Sequence, residues 1–308
     1  MTNTSFSQMR KQSQNLATLQ NKIKNQGKKD YTDNRYWTAE QDKAGNAEAV
    51  IRFLPSPKGE ENPFVKLWTY AFQGPTGQWL IENCPSTIGQ PSPILEANNE
   101  LWASKDPEQE KIARKRGRKV QYHANVLVVK DPANPENEGK VFLFKFGVKL
   151  YEKIESAMVP KFQDQEPINV FDPWGGADFK LRIVRKDKYA NYDNSVFDNP
   201  APIGVMEDGV RKELADEEIE KIWEAEHSLQ EIVAEDKFKS YEDLKKRFDM
   251  VTGSTTRSAP ATAEQSMNTV EQATSRVAEA DDGETLDDLD LDVDSDMDDL
   301  DDFKALVE

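Results

Sequence analysis

The chain has 308 residues, 37% hydrophobic and 31% charged, with a formal net charge of −17. That length allows one large domain or two ordinary ones, and the apolar content is low for a chain that packs throughout. There is no apolar run long enough to span a membrane, no signal-like h-region near the start, and one cysteine, Cys84, which excludes an internal disulfide.

Residues 1–26 are polar and carry Arg10, Lys11, Lys22 and Lys24, with Leu16, Leu19 and Ile23 at partial helical spacing. They read as a short helix or a mobile arm, with a frayed terminus as the plain alternative. From about residue 36 the signals turn to strand. The β-rich runs 47–55, 64–72 and 78–82 are bounded by Gly and Pro, and GPTGQ (74–78) suits a hairpin turn. A Pro-rich stretch over 85–108 contains a possible helix at 93–103. The strongest strand, VQYHANVLVVK (120–130), leads through DPANPENEGK into VFLFKFG (141–147), which predicts a hairpin with a long loop. Residues 148–158 have helical spacing, 178–186 alternate as a strand, and KYANYDNSVFDNP reads as a polar-aromatic loop. Residues 208–249 are helical in pattern, with Leu214, Ile219, Ile222 and Trp223 on one face. Residues 252–280 are rich in Thr, Ser, Ala, Gln and Glu and read as a flexible linker.

The charge is uneven. Residues 281–308 hold fourteen acidic groups and one basic, so the rest of the chain, with 43 acidic and 39 basic, is close to balance. A tail alternating Asp with Leu, Val and Met cannot bury enough apolar surface to offset its entropy and self-repulsion, so disorder is expected there. The low overall pI therefore does not argue against nucleic-acid binding by the body.

Catalytic signatures are lacking: there is no phosphate loop, no nucleophile elbow and no H-E-x-x-H. His123 and His227 leave little room for histidine chemistry. What stands out is basic residues interleaved with aromatics. Lys111, Arg114, Lys115, Arg116, Arg118 and Lys119 run into Tyr122 and His123. Lys140 and Lys145 accompany Phe142, Phe144 and Phe146. Arg182, Arg185, Lys186 and Lys188 precede Tyr189 and Tyr192, while Arg52, Lys66, Trp68, Tyr70 and Trp79 interleave earlier. Single-stranded nucleic acid calls for this mixture, cations following phosphates and rings stacking unpaired bases. The bland alternative is a core ridge, since Phe142, Phe144 and Phe146 share one face of a strand. A single-stranded RNA-binding regulator, a protein scaffold and a metal-dependent nuclease remain as alternative functions.

AGNAEAVIRFLPS (44–56), YHANVLVVKDPANPENEGKVFLFKFGVKLYEKI (122–154), NYDNSVF (191–197) and DKFKSYEDL (236–244) resemble the single-stranded DNA-binding, helix-destabilising proteins of T-even-type bacteriophages. The resemblance implies a mainly β fold with added helices. It divides the chain into a subunit-contact arm (1–26), an OB-fold DNA-binding core (27–251), a linker (252–280) and an acidic tail (281–308). It also implies cooperative, sequence-independent coating of exposed strands in the cytoplasm of an infected bacterium. The tail would contact replication, recombination and repair proteins. The arm motif falls on Arg10, Lys11 and Ser13. The residues expected to face DNA are Arg52, Arg118, Lys119, Tyr122, His123, Phe144, Lys145, Tyr189 and Tyr192. The family's zinc site, one His and three Cys, keeps only Cys84 here, its other positions resembling Tyr70, Ser92 and Leu95. No cofactor is therefore expected, and packing by Trp68, Trp79, Ile88, Ile94 and Trp102 should hold that region.

Overall fold

A computed structural model describes residues 33–162, 164–186, 189–207 and 210–254. Eleven strands and five α-helices are present among them, in the order β1 (Tyr36–Trp37), β2 (Ala47–Phe53), β3 (Phe64–Gln73), β4 (Trp79–Asn83), α1 (Pro93–Ala103), α2 (Pro107–Lys115), β5 (Lys119–Lys130), β6 (Val141–Phe146), α3 (Val148–Met158), β7 (Phe179–Lys186), β8 (Tyr189–Asn191), β9 (Val196–Phe197), β10 (Gly204–Glu207), β11 (Val210–Glu213), α4 (Asp216–Glu224) and α5 (Tyr241–Thr252).

The organising strand is β5. Along one edge it pairs antiparallel with β6, from Tyr122↔Phe146 to Leu127↔Val141. Along the other it pairs first with β3, Trp68↔Val120 to Phe64↔Ala124, and then with β2, Phe53↔Val126 to Val50↔Lys130. β2 continues the sheet to β7, and β3 turns back through β4. The sequence explains why β5 is central. Its apolar run is buried continuously from Tyr122 to Val129, as a strand covered on both faces must be. One face joins the main core, including Ile51, Phe53, Ala124, Val126, Phe144 and Phe179. The other packs Leu127 and Val129 with Leu54, Ile203 and Ile219.

A second core of Tyr70, Phe72, Leu80, Cys84, Ile94, Leu244, Phe248 and Val251 lies where β3 and β4 meet α1 and α5. Of the residues expected to hold this region, Ile94 is fully buried in it and Trp68 packs on its edge, whereas Trp102 is 41% exposed. The larger contribution comes from α5, distant in sequence. Its C-terminal turn sits on the β3–β4 hairpin. Thr76 Oγ1 donates to the Val251 carbonyl at 2.7 Å, and a Cβ at Gly74 would lie 2.2 Å from that oxygen, so only glycine admits the contact.

Three expectations need correction. Residues 208–249 are not continuously helical. β10 and β11 pair across an Asp-Gly dipeptide, a hairpin signal outweighed in the reading by the apolar spacing farther on. Residues 225–240 then separate α4 from α5. The polar-aromatic loop contains β8 and β9, both of which pair with β7. Helix α2 was hidden by its basic run, although Asp106 caps it, Pro107 opens it and Arg114 and Lys115 close it. Among the described residues no helix is long and apolar enough to cross a membrane.

Candidate nucleic-acid interface

The alternation of side chains on β5 and β6 decides which rings are free. Tyr122 pairs with Phe146, and Ala124 with Phe144, so these side chains share the face turned to the main core. Tyr122 is 6% exposed and Phe144 5%. Tyr122 stacks on Tyr151 at 4.1 Å with an interplanar angle of 4°, and Phe144 lies against Trp37 and Phe146. These rings are already committed to one another. The expectation that Tyr122 and Phe144 present faces to bases is corrected: they form the core ridge.

Arg52 is corrected in the same way. Its side chain is fully buried, with Nη1 3.3 Å from Asp178 Oδ1 and Nη2 donating to the Asp172 carbonyl at 2.7 Å. Arg211 Nε holds the other Asp178 oxygen at 3.0 Å. A Cβ at Gly176 would come within 2.8 Å of Arg52 Nη2, so the glycine leaves room for the guanidinium. Paired, hydrogen-bonded burial of this kind makes Arg52 a residue of the fold, placed out of reach of a phosphate.

His123 points to the opposite face of β5 and is also buried, at 4% exposure. Its Nδ1 lies 2.9 Å from the Tyr36 hydroxyl and its Nε2 has no partner. Burial, with Lys145 alongside, pushes its pKa down to about 3, so the ring is neutral and sheltered. Lys145, directly across the ladder, is half-buried, and burial lowers its pKa too. Lys119 is half-buried at the start of β5. Tyr189 is 42% exposed, and Tyr192 packs half-buried on the rim of the main core. Arg10, Lys11 and Ser13 lie outside the described residues.

What the fold does assemble is a cationic, aromatic seam along β3. Phe64, Lys66 and Trp68 alternate onto one face of the strand; Lys66 is exposed, and both rings are half-buried. Trp68 packs against both the main core and the second core, which places it at their junction. Arg118, just before β5, lies over the Trp68 ring with Cζ 4.2 Å from its centroid, and Lys66 Nζ lies 4.7 Å from it. Arg118 Nη1 donates to Ser86 Oγ at 2.7 Å. The seam continues through Phe64 to the half-buried Tyr151 of α3, 5.6 Å away. Trp68 and Lys66 belong to a pattern visible in the sequence; Ser86 and Tyr151 carried no signal, because their roles depend on contacts between elements.

Cations elsewhere are differently employed. On β7, Lys180 pairs with Asp198 at 2.6 Å and Arg182 with Glu48 at 3.4 Å. Arg114 lies over Trp102 and Arg116 over Phe248.

The lone cysteine sits in a polar cluster. Cys84 Sγ is 3.2 Å from the Tyr70 hydroxyl and 3.0 Å from Ser86 Oγ, and Tyr70 is 2.9 Å from Ser92 Oγ. Tyr70, Cys84 and Ser92 thus converge at positions that the sequence likeness matched to zinc ligands, but they do not suit that metal. Only one offers sulfur, Leu95 offers no donor atom, and burial drives the Tyr70 hydroxyl still further from ionisation. Among the described residues no group of three or more His, Cys, Asp or Glu is placed to hold a metal ion.

Residues 45–252 match the family model described as gp32 DNA binding protein like. The single-stranded DNA-binding protein of Enterobacteria phage T2 is 38% identical over 251 residues, covering 79% of this chain and 79% of that protein. The single-stranded DNA-binding protein of Enterobacteria phage T4 is 39% identical over 227 residues, covering 72% and 71%.

Proposed function

Because this chain belongs to the gp32-like family of DNA-binding proteins, we propose that it binds single-stranded DNA without sequence preference, along the seam of Lys66, Trp68 and Arg118. The observation that carries this reading is Trp68, half-exposed at the junction of two cores with two cations over its ring. Cations there meet phosphates, while the half-buried rings of Trp68, Phe64 and Tyr151 offer edges or faces to bases. Lys119 and Tyr189 are further contacts on this reading, with Tyr192 on the rim of the main core; Lys145 lies on the other face of the sheet beside His123. Tyr122 and Phe144 support the seam's face from inside.

The branched pairing of β5 with β2, β3 and β6 supports an OB-type barrel, a scaffold suited to oligonucleotides. Binding breaks no bond. The protein acts in the cytoplasm of an infected bacterium, coating strands exposed in replication, recombination and repair. The arm through Arg10, Lys11 and Ser13 makes coating cooperative. The acidic tail recruits other proteins and competes with DNA for the seam. The second core holds together without zinc.

Titration of tryptophan fluorescence with poly-dT over a range of salt tests the central claim. Affinity falls with a log–log slope of about −0.7 for each neutralised phosphate. A flat salt response would remove the cationic seam as the site. Deleting 281–308 tightens binding at low salt; unchanged affinity would end the competition role. Metal analysis of the purified protein returns no stoichiometric zinc; one equivalent would overturn that part.

A further inference from the structure

Arg118 is held by more than its tryptophan. Its Nη1 can only donate, so Ser86 Oγ accepts that bond and is left with its own proton to give. That proton goes to Cys84 Sγ, the Cys84 thiol donates to the Tyr70 oxygen, and the Tyr70 hydroxyl is hydrogen-bonded to Ser92 Oγ. The four contacts form one head-to-tail chain starting on a charged group, and such chains polarise each other in a dry interior. Cys84 and Tyr70 are fully buried and Ser92 is 2% exposed. Ser92 occupies the N-cap position of α1 yet makes no side-chain cap bond. Its hydroxyl pairs with Tyr70 instead. Among the described residues no hydrogen-bond partner engages Arg118 Nε or Nη2, which leaves donors for a phosphate.

We propose that Ser86, Cys84 and Tyr70 are positioning residues for Arg118: their hydrogen-bond chain ties the interior of the second core to this guanidinium and fixes it over Trp68 before DNA arrives. This rests on the reading of Arg118 as a phosphate contact. Preorganisation is the benefit, because a long side chain otherwise loses rotamer freedom on binding. Ser86 is the informative residue, since it touches Arg118 directly and is only half-buried.

The test is a double-mutant cycle in the full chain, read as affinity for oligo-dT at low salt and over a salt series. Arg118→Ala weakens binding and lowers the salt slope by about 0.7. Ser86→Ala weakens binding about fivefold, the scale of one hydrogen bond, and Ser86→Thr restores it. In the Arg118→Ala background, Ser86→Ala has no further effect. Equal losses from Ser86→Ala in both backgrounds would overturn positioning while leaving Arg118 as a contact. Wild-type affinity for Ser86→Ala beside a weakened Arg118→Ala would overturn it likewise. Wild-type affinity for Arg118→Ala would strike the contact reading itself, and positioning with it. Melting temperatures taken alongside show whether each variant is folded.

Discussion

The two cores on either side of Trp68 are built by different means. The main core is dense in rings: Phe53 alone lies within 6.4 Å of Phe144, Phe146, Phe171, Phe179 and Phe197. On the opposite face of β2 from these rings, the buried cation Arg52 is neutralised by Asp178. The second core is smaller, draws a helix from far along the chain, and ends in a polar chain that reaches the surface at Arg118. Rings in the first are consumed by stacking on each other, whereas the second leaves a cation and part of an indole available. Aromatic density in the sequence therefore does not mark which rings are exposed. The exposed ring and cations lie where a saturated core meets a smaller one.

That contrast can be broken, and the largest effect belongs to Arg52, on the far face of β2 from the main core. Arg52→Ala leaves Asp178 short of a partner and costs about 3–5 kcal/mol in denaturant unfolding. If the variant melted like wild type and lost only DNA affinity, Arg52 would be a contact residue and its buried placement would be wrong. Trp68→Leu comes next. It removes the platform for both cations and weakens oligo-dT binding by about 1–3 kcal/mol, with a smaller loss of stability. Binding at wild-type strength would move the site away from β3. Tyr70→Phe removes one hydroxyl from the polar chain and costs about 1–2 kcal/mol in stability. No change in unfolding would show that the second core does not depend on that chain.

Two further effects are in pH. His123 is held neutral, with its pKa lowered from 6.5 to about 3, so the unfolded chain binds a proton more readily. Its contribution is intact above pH 6.5 and is lost as pH falls toward 3. Glu226 has the opposite sign. Burial and neighbouring Glu60 raise its pKa from 4.5 to about 8, and both carboxyl oxygens lack partners. The folded form keeps that proton better, so stability declines as pH rises from 4.5 to 8. Glu226→Gln should therefore raise the melting temperature at pH 8 and leave it nearly unchanged at pH 4.5. An equal shift at both values would mean that the carboxyl does not titrate in this window.

Much of the frame was legible. The runs at β2, β3, β4, β5, β6 and β7 alternate or stay apolar in the way strands require, and GPTG marks its hairpin. The failures have physical causes. Helical spacing around Ile219 and Ile222 spread the helical reading backward over β10 and β11, because a four-residue strand holds too few residues to show its period. In KIARKRGRK the dense charge masks the helical period, although Asp106 caps the helix. For the candidate interface, the sequence offered residue types but not their sides: Lys66 and Trp68 stood in the pattern beside Arg52, and of the three only Arg52 is fully buried.

By itself, the sequence determined the class of partner, the mainly β frame and the separation of a near-neutral body from an acidic end, because composition and local periodicity are properties of short windows. Only the tertiary structure decided which rings and cations remain available. Strand register puts Tyr122 and Phe144 inside and Lys66 at the surface. The packing of α5 completes a core whose other members lie more than 140 residues away. Burial is a property of the partners that surround a side chain, and those partners meet only when the chain closes on itself.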